Sequence, residues 1–467
     1  MYRDPVESLE PQSSHAAALA PRPLRVGMIG IGTVGSGTFR VLARNQAEIA
    51  GRAGRGIKLV MVCARSLARA MRVVGRDAAL TNDPMLVATH PDVDVVVEVA
   101  GGTSPAREWV LAAIRAGKHV VTANKALLAT HGNEIFAAAR QHGVTVAYEG
   151  AVAVSIPIIK ALREGLTANR IEWVAGIING TTNFILSKMR DEGLGFAEAL
   201  AQAQALGYAE ADPTFDIEGI DAAHKITLLA ANAFGMPVRF ADAQVEGITR
   251  LQGLDVACAE QLGFRIKLLG VARRRKEGDA DGVELRVQPA LVPATHLLAH
   301  VNGSMNALMV KGDASGVTMY YGAGAGSEQT ASAVIADLVD VARLQGTTPA
   351  QRVPHQGFHA HAVNEQLAVL PRAAVHTRHY LRVPVHTAQQ MDEVSAWLAA
   401  QQVPVQRVEL ARDQALPAGS GPEAQAQVLV LTDAVAQATV DSAVHALADH
   451  PAVAAPVVTL RVEWLEG

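Results

Sequence analysis

Short apolar runs alternate with amphipathic stretches through the first third of the chain. Leu24–Ile29 is the first such run, and others lie at Lys58–Ala64, Val93–Val99, His119–Thr122 and Val144–Tyr148. Near-continuous runs of this length predict strands buried on both faces, as parallel sheets require. Helix-like stretches separate them, the first with Phe39, Val41 and Leu42 as core contacts, so a doubly wound parallel sheet is expected. Far downstream, Thr330–Leu344 places Val334, Leu338 and Val341 at helical spacing, which predicts a helix packing back on that sheet. The last stretch reads as strand Tyr380–Val385, helix Ala388–Gln401, strands Val405–Leu410 and Ala426–Leu431, helix Ala438–Asp449 and strand Val457–Val462. This βαββαβ order predicts a small ferredoxin-like sandwich.

Composition narrows the class. The 467 residues exceed one typical core, so several domains are expected. A net charge of −4 gives no electrostatic reason to expect nucleic acid or an anionic membrane surface. The two cysteines, Cys63 and Cys258, argue against a disulfide framework and for a reducing, cytoplasmic setting. No uncharged apolar run approaches the roughly 18–20 residues that span a bilayer. Met1 to Pro23 lacks the basic start and apolar core of a signal peptide and reads as a mobile tail, 1–23.

The candidate chemistry begins directly after the first strand. Gly30-Ile31-Gly32-Thr33-Val34-Gly35 stands between a strand and a helix, the context in which a Gly-x-Gly-x-x-Gly turn takes a dinucleotide pyrophosphate on a helix N-terminus. The second strand ends at Cys63-Ala64-Arg65 rather than at an acidic residue. An acid would hold the ribose 2′-hydroxyl of NAD, whereas Arg65 can meet the 2′-phosphate of NADP; a plain surface arginine is the alternative. The interval from the glycines is long, so an inserted loop is expected around Ala50–Gly56. Ala123-Asn124-Lys125 follows another buried strand, at the carboxyl edge where such sheets bind ligands. From Leu206 to Lys225 the chain packs five carboxylates into a stretch broken by Pro and Gly. Asp221 and Lys225 then share one helix face, either as a solvated pair or as a tunable acid beside an apolar helix.

Taken together, these stretches resemble the long bacterial homoserine dehydrogenases. The matching blocks are Gly30–Gly35, Glu98–Thr103, Val120–Lys125, Asn179-Gly180-Thr181-Thr182-Asn183, Gly207–Lys225 and Gly322–Gly326. The resemblance implies reversible reduction of L-aspartate 4-semialdehyde to L-homoserine with NADP(H), NAD(H) being possible. It implies Lys225 as proton donor, Lys125 as the second active-site lysine, and Glu210 and Asp221 as substrate carboxylates. Asn124 and Lys125 on the nicotinamide side, Thr103 in the loop that closes on it, and Gly207 and Gly326 near the cofactor complete the implied set. A monovalent cation, sodium, is implied on Glu149, Val152, Val154 and Ile156. The family has glycines where this chain carries Val154 and Ser155.

The same resemblance divides the chain into an NAD(P)-binding domain (24–150), a catalytic and dimerisation domain (151–320), a returning helix (321–346), a linker (347–378) and an ACT-like regulatory domain (379–467). Threonine is the implied effector, although His386-Thr387-Ala388 replaces the usual glycine-bearing turn. A homodimer or homotetramer is implied. The linker histidines His355, His359 and His361 lack a metal-binding pattern. Two other readings stay open: another ACT-bearing dehydrogenase, and an inactive NADP-sensing regulator.

Overall fold

The computed structural model describes residues 21–277, 280–412 and 426–465, so nearly all of the expected N-terminal tail lies outside the described residues. Six parallel strands, β1 (Leu24–Ile29), β2 (Ile57–Cys63), β3 (Ala79–Thr81), β4 (Val95–Glu98), β5 (His119–Thr122) and β6 (Val146–Ala147), form one sheet. Their order, β3-β2-β1-β4-β5-β6, reverses between β1 and β4. That reversal opens the crevice in which doubly wound sheets bind ligands. Strand β3 went unforeseen because its three residues are partly exposed at the sheet edge and carry no apolar run. The loop expected around Ala50–Gly56 is instead largely a helix, Gln46–Ala53, which buries Ile49 and Ala53 and ends at Gly54 with φ +76°. A Glu48–Arg52 pair one turn apart supports it.

The helix Ser327–Arg343 returns to this sheet. Its Ala331, Val334, Ile335 and Leu338 share a core with Val26 and Met28 of β1. It lies so close to the helix Thr33–Arg44 that a Cβ on Gly37 would stand 2.5 Å from the Ser327 carbonyl oxygen.

The second sheet is mixed. Its strands are β7 (Ile171–Ile177), β8 (Gln244–Val245), β9 (Phe264–Glu277), β10 (Ala280–Pro293), β11 (Met305–Gly312), β12 (Gly316–Ala323), β13 (Ala368–Val369), β14 (His376–Val385), β15 (Val405–Leu410), β16 (Ala426–Thr432), β17 (Val435–Ala436) and β18 (Val458–Val462). The main path runs β12-β11-β7-β9-β10-β18-β14-β16-β15 without a break. One long edge of β10 pairs with β9. The other is closed piecewise by three short parallel strands: β13 at Gly282 and Val283, β8 at Arg286 and Val287, and β18 at Ala290 and Leu291.

Strands β14, β15, β16 and β18, with helices Met391–Ala400 and Gln437–Leu447, make the βαββαβ unit, and its strand order β18-β14-β16-β15 is ferredoxin-like. Leu381, Val383, Val394, Leu398, Val428 and Val430 form its own small core. Strand β14 starts at His376, inside the stretch read as linker.

A buried ion cluster rivets this unit to β10. Glu284 and Arg286 of β10 are fully buried. Glu284 receives Arg461 at 3.0 Å, Arg275 at 2.6 Å and Arg286 at 2.7 Å. Glu463 pairs with Arg286 and, at 3.1 Å, with Arg273. Among the described residues no helix is long and apolar enough to cross a membrane.

Candidate active site

The glycine turn sits as its spacing requires. Gly30 has φ +108°, and a Cβ on Gly35 would lie 2.2 Å from the Gly30 carbonyl oxygen, so the helix Thr33–Arg44 can approach β1 this closely only through glycine. Nothing lies within 4 Å of a Cβ on Gly32, which leaves the backbone open to a ligand at the helix N-terminus formed by Thr33 and Val34. Arg65 is exposed just past β2. Gly326, with φ +138°, starts the returning helix, and the Ser327 hydroxyl donates to the Thr33 carbonyl at 2.7 Å. Gly207 takes φ +76° after the helix Phe196–Ala205.

Three charged groups meet at the carboxyl edge of the first sheet. Lys125 opens the helix Lys125–Gln141 directly after β5, and Asn124 caps that helix by accepting the Leu127 N–H at 3.1 Å. Asp221 and Lys225 lie in the first turns of the almost wholly buried helix Ile220–Phe234. The Asp221 carboxylate takes Lys125 Nζ on Oδ1 at 3.0 Å and Lys225 Nζ on Oδ2 at 2.8 Å. Lys225 Nζ also donates to the Ile178 carbonyl at 2.8 Å. A Cβ on Gly219, the residue before the helix, would press on Val287 of β10 at 3.1 Å, so the helix start is packed directly on the second sheet.

Burial sets the electrostatics. It drives the Lys225 ammonium below its usual pKa, aided by the positive charge of Lys125 and opposed by Asp221. Burial would raise Asp221, but the two lysines hold its carboxyl well below the usual range. Lys125 is less enclosed. Burial works against its ammonium, yet Asp221, Asp216 and Glu210 together lift its pKa.

Asn179 and Asp216 belong to the same cluster, although no role was read for them in the sequence. Asn179 Nδ2 donates to Asp216 Oδ1 at 2.7 Å and to Asp221 Oδ2 at 2.8 Å. Burial and the neighbouring Asp221 raise the Asp216 carboxyl. Phe215 stands under Lys125 Nζ at 5.8 Å, and His224 lies edge-on to Phe215 and Phe240. The signal for these residues was present, since Asn179 opens one matching block and Asp216 is one of the clustered carboxylates. Glu210 is exposed and makes its contribution through space, on Lys125. Thr103 precedes the helix Ser104–Arg115.

The turn expected to hold a cation lies against the returning helix. The Glu149 carboxylate accepts the Ile159 and Lys160 N–H groups at 2.9 and 2.8 Å, and its own N–H donates to Asp337. Val154 adopts φ +55°, a left-handed conformation that favours glycine. The carbonyl of Ile156 accepts the Ile158 N–H at 2.8 Å. Asp337 Oδ1, beside Glu149, is buried without a hydrogen-bond partner, and the oxygen-only donor set suits a hard cation. Among the described residues no group of three His, Cys, Asp or Glu side chains could hold a metal ion. His355 instead stacks on Phe136, and His359 on His361.

Known proteins resemble the chain over most of its length. Residues 30–149 match the family profile "Homoserine dehydrogenase, NAD binding domain", and residues 157–339 match "Homoserine dehydrogenase". The homoserine dehydrogenase of Pseudomonas aeruginosa is 51% identical over 95% of this chain and 100% of its own length. That of Neisseria gonorrhoeae is 47% identical over 95% and 99%. The crystal structure of a homoserine dehydrogenase from Thiobacillus denitrificans superposes with a TM-score of 0.87 at 51% identity, covering 95% of this chain and 98% of that one. A hyperthermophilic archaeal homoserine dehydrogenase in complex with NADPH covers 70% of this chain and 99% of its own, with a TM-score of 0.59 at 25% identity. A dinucleotide turn, two lysines on one buried carboxylate and relatives matched from end to end lead to one assignment: the chain belongs to the homoserine dehydrogenase family.

Proposed function

We propose that the chain reduces L-aspartate 4-semialdehyde reversibly to L-homoserine at the Lys125–Asp221–Lys225 cluster, with Lys225 as the proton donor. The observation that carries this reading is the environment of Lys225 Nζ. A lysine ammonium has three protons. Two are directed at Asp221 Oδ2 and the Ile178 carbonyl, and the third remains for the substrate's carbonyl oxygen. The nicotinamide, when bound, supplies the hydride. As the carbonyl carbon is reduced its oxygen gains negative charge, and Lys225 neutralises it by proton transfer. Burial lowers the cost of giving up that proton, because it disfavours the charged lysine. Lys125 and Asp221 orient the reacting oxygen, and Glu210 faces the substrate's ammonium group.

Arg65, in place of an acid after β2, and the NADPH-bound archaeal relative support NADP(H) over NAD(H). The glycine turn, Thr103, Asn124, Gly207 and Gly326 line the cofactor's path. Sodium is the ion this reading assigns to Glu149 and to the carbonyls of Val152, Val154 and Ile156; the left-handed Val154 supports it. The βαββαβ unit is assigned threonine as effector. Strand β12, a sheet edge with Tyr321 exposed, supports pairing with a second copy in a dimer or a dimer of dimers. This reading keeps the division into cofactor domain, catalytic domain, returning helix, linker and regulatory domain.

The test is the initial rate of L-homoserine oxidation with NADP and with NAD, for wild type and Lys225→Ala. Loss of about 10²–10⁴ in kcat in the variant supports the proton-donor role. A folded wild type that binds NADP yet turns over nothing would overturn the reading.

A further inference from the structure

Glu98 ends β4 and is fully buried. A carboxylate in such a place is stable only when donors surround it. Here Oε1 accepts the N–H groups of Ala100 and Gly101 at 3.0 and 3.1 Å, and Oε2 accepts the Thr122 hydroxyl at 2.8 Å. Thr122 Oγ1 in turn accepts the Asn124 N–H at 3.0 Å. Asn124 closes the ring: its Nδ2 donates to the Gly102 carbonyl at 2.7 Å, while its Oδ1 caps the helix that Lys125 opens. Gly101 and Gly102 have φ of +78° and +79°, and nothing lies within 4 Å of a Cβ at either. The loop therefore has no packing of its own at these residues, and hydrogen bonds to Glu98 and Asn124 hold it.

We propose that Glu98 is a positioning residue of the reaction: its carboxylate clamps the Ala100–Gly102 loop to β5, so that one frame fixes both the nicotinamide-side loop and Lys125. The ring joins the end of β4, the loop, the end of β5 and the first turn of the Lys125 helix, four segments that must agree in position for hydride and proton to reach one carbonyl group. A carboxylate suits the place because every neighbour donates to it. A glutamine would keep one oxygen for the two backbone N–H groups and turn a donor toward Thr122, so it should preserve the loop half of the clamp. A leucine would release both halves. The proposal rests on the roles given above to Lys125 and to the cofactor edge.

The test compares Glu98→Leu, Glu98→Gln and Thr122→Val with wild type. Three readouts are taken: amide hydrogen exchange of residues 99–104 in the ligand-free protein, NADPH affinity by fluorescence titration, and kcat and KM for homoserine oxidation. In Glu98→Leu, exchange at Ala100–Gly102 is expected to accelerate about tenfold and the NADPH Kd to rise about tenfold. Its kcat should fall about tenfold or more, with KM for homoserine changed less than about threefold. Glu98→Gln should recover the exchange protection and most of the affinity. If Glu98→Leu fails to fold, Thr122→Val carries the test, with faster exchange at Ala100–Gly102 and lower kcat expected. Unchanged exchange in the altered protein overturns the proposal, as does acceleration spread evenly over the whole first sheet. The exchange and NADPH measurements need no substrate. A wild type without homoserine turnover would sink the reaction assigned above, whereas an unaltered loop would sink only the role of Glu98.

Discussion

One buried carboxylate serves two ammonium groups in this site, and the consequences are readable in pH. The Lys225 pKa lies below its ordinary value because burial disfavours the charge. Reduction requires the protonated form and oxidation the neutral form. Rising pH through this pKa should therefore depress kcat/KM for semialdehyde reduction and increase it for homoserine oxidation, which rate profiles in both directions would check. Replacing Asp221 by Asn removes the negative charge that supports Lys225. The oxidation limb should move to lower pH, while kcat falls by about 10² or more as both lysines lose their orientation. At the other end of the crevice, Arg65→Ala should raise KM for NADP by about tenfold and change KM for NAD less than about twofold. The meeting of Lys125, Asp221 and Lys225 was legible because its signal is local: Asp221 and Lys225 are one turn apart, and Lys125 follows a strand directly. Asn179 and Asp216 escaped a role because their approach to Asp221, at 2.8 Å for Asn179, depends on how distant segments pack.

Elements followed the same logic. Strands β1, β2, β4 and β5 appear within two residues or so of their apolar runs, since burial on both faces leaves a continuous signature. The helix Gln46–Ala53 had no such signature, because only Ile49 and Ala53 of its residues are buried. Two substitutions probe element geometry. Val154 holds a β-branched side chain at φ +55°, a cost of about 1–2 kcal/mol. Val154→Gly should relieve it and, after the added freedom of the unfolded chain, leave the Tm equal or higher by a few degrees; a clear fall would show that the side chain's packing outweighs the strain. Gly37→Ala should do the opposite. Its Cβ meets the Ser327 carbonyl at 2.5 Å, so the returning helix must shift at a cost of about 1–3 kcal/mol. Thermal unfolding and KM for NADP would report both the lost stability and the displaced glycine turn.

At the scale of the molecule, the C-terminal unit is an extension of the second sheet. Its ferredoxin-like order was readable from the alternation of strands and helices; its fusion to β10 was not, because two residue pairs, Ala290 with Arg461 and Leu291 with Val462, leave no mark on either local pattern. Glu463→Ala would leave the buried Arg286 with Glu284 as its remaining anion, and a loss of about 3–5 kcal/mol is expected, read as a fall in Tm. Acid should also weaken the whole fold. Burial, with Arg461, Arg372 and Arg286 nearby, lowers the His379 pKa to about 3, and burial lowers His119, His224 and His355 to about 4. The unfolded chain gains protons on these rings from about pH 6.5 downward while the folded one does not, so stability drops through that window. For His379 alone this amounts to about 2 kcal/mol by pH 5, and a Tm that stayed constant between pH 7.5 and pH 5 would contradict it.

The piecewise closure of β10 also bears on how the chain is made. The segments that cover its outer edge come from 244–245, 368–369 and 458–462, so the last of them is synthesised well after β10 itself. Until then a nascent protein with every proposed active-site group already synthesised carries an uncovered stretch of strand edge at Ala290 and Leu291, and its buried Arg286 lacks its second anion, Glu463. Such an edge invites pairing with other chains. A message truncated just before β18 should thus yield a protein that quality-control proteases treat as unfinished, although its catalytic residues are all in place.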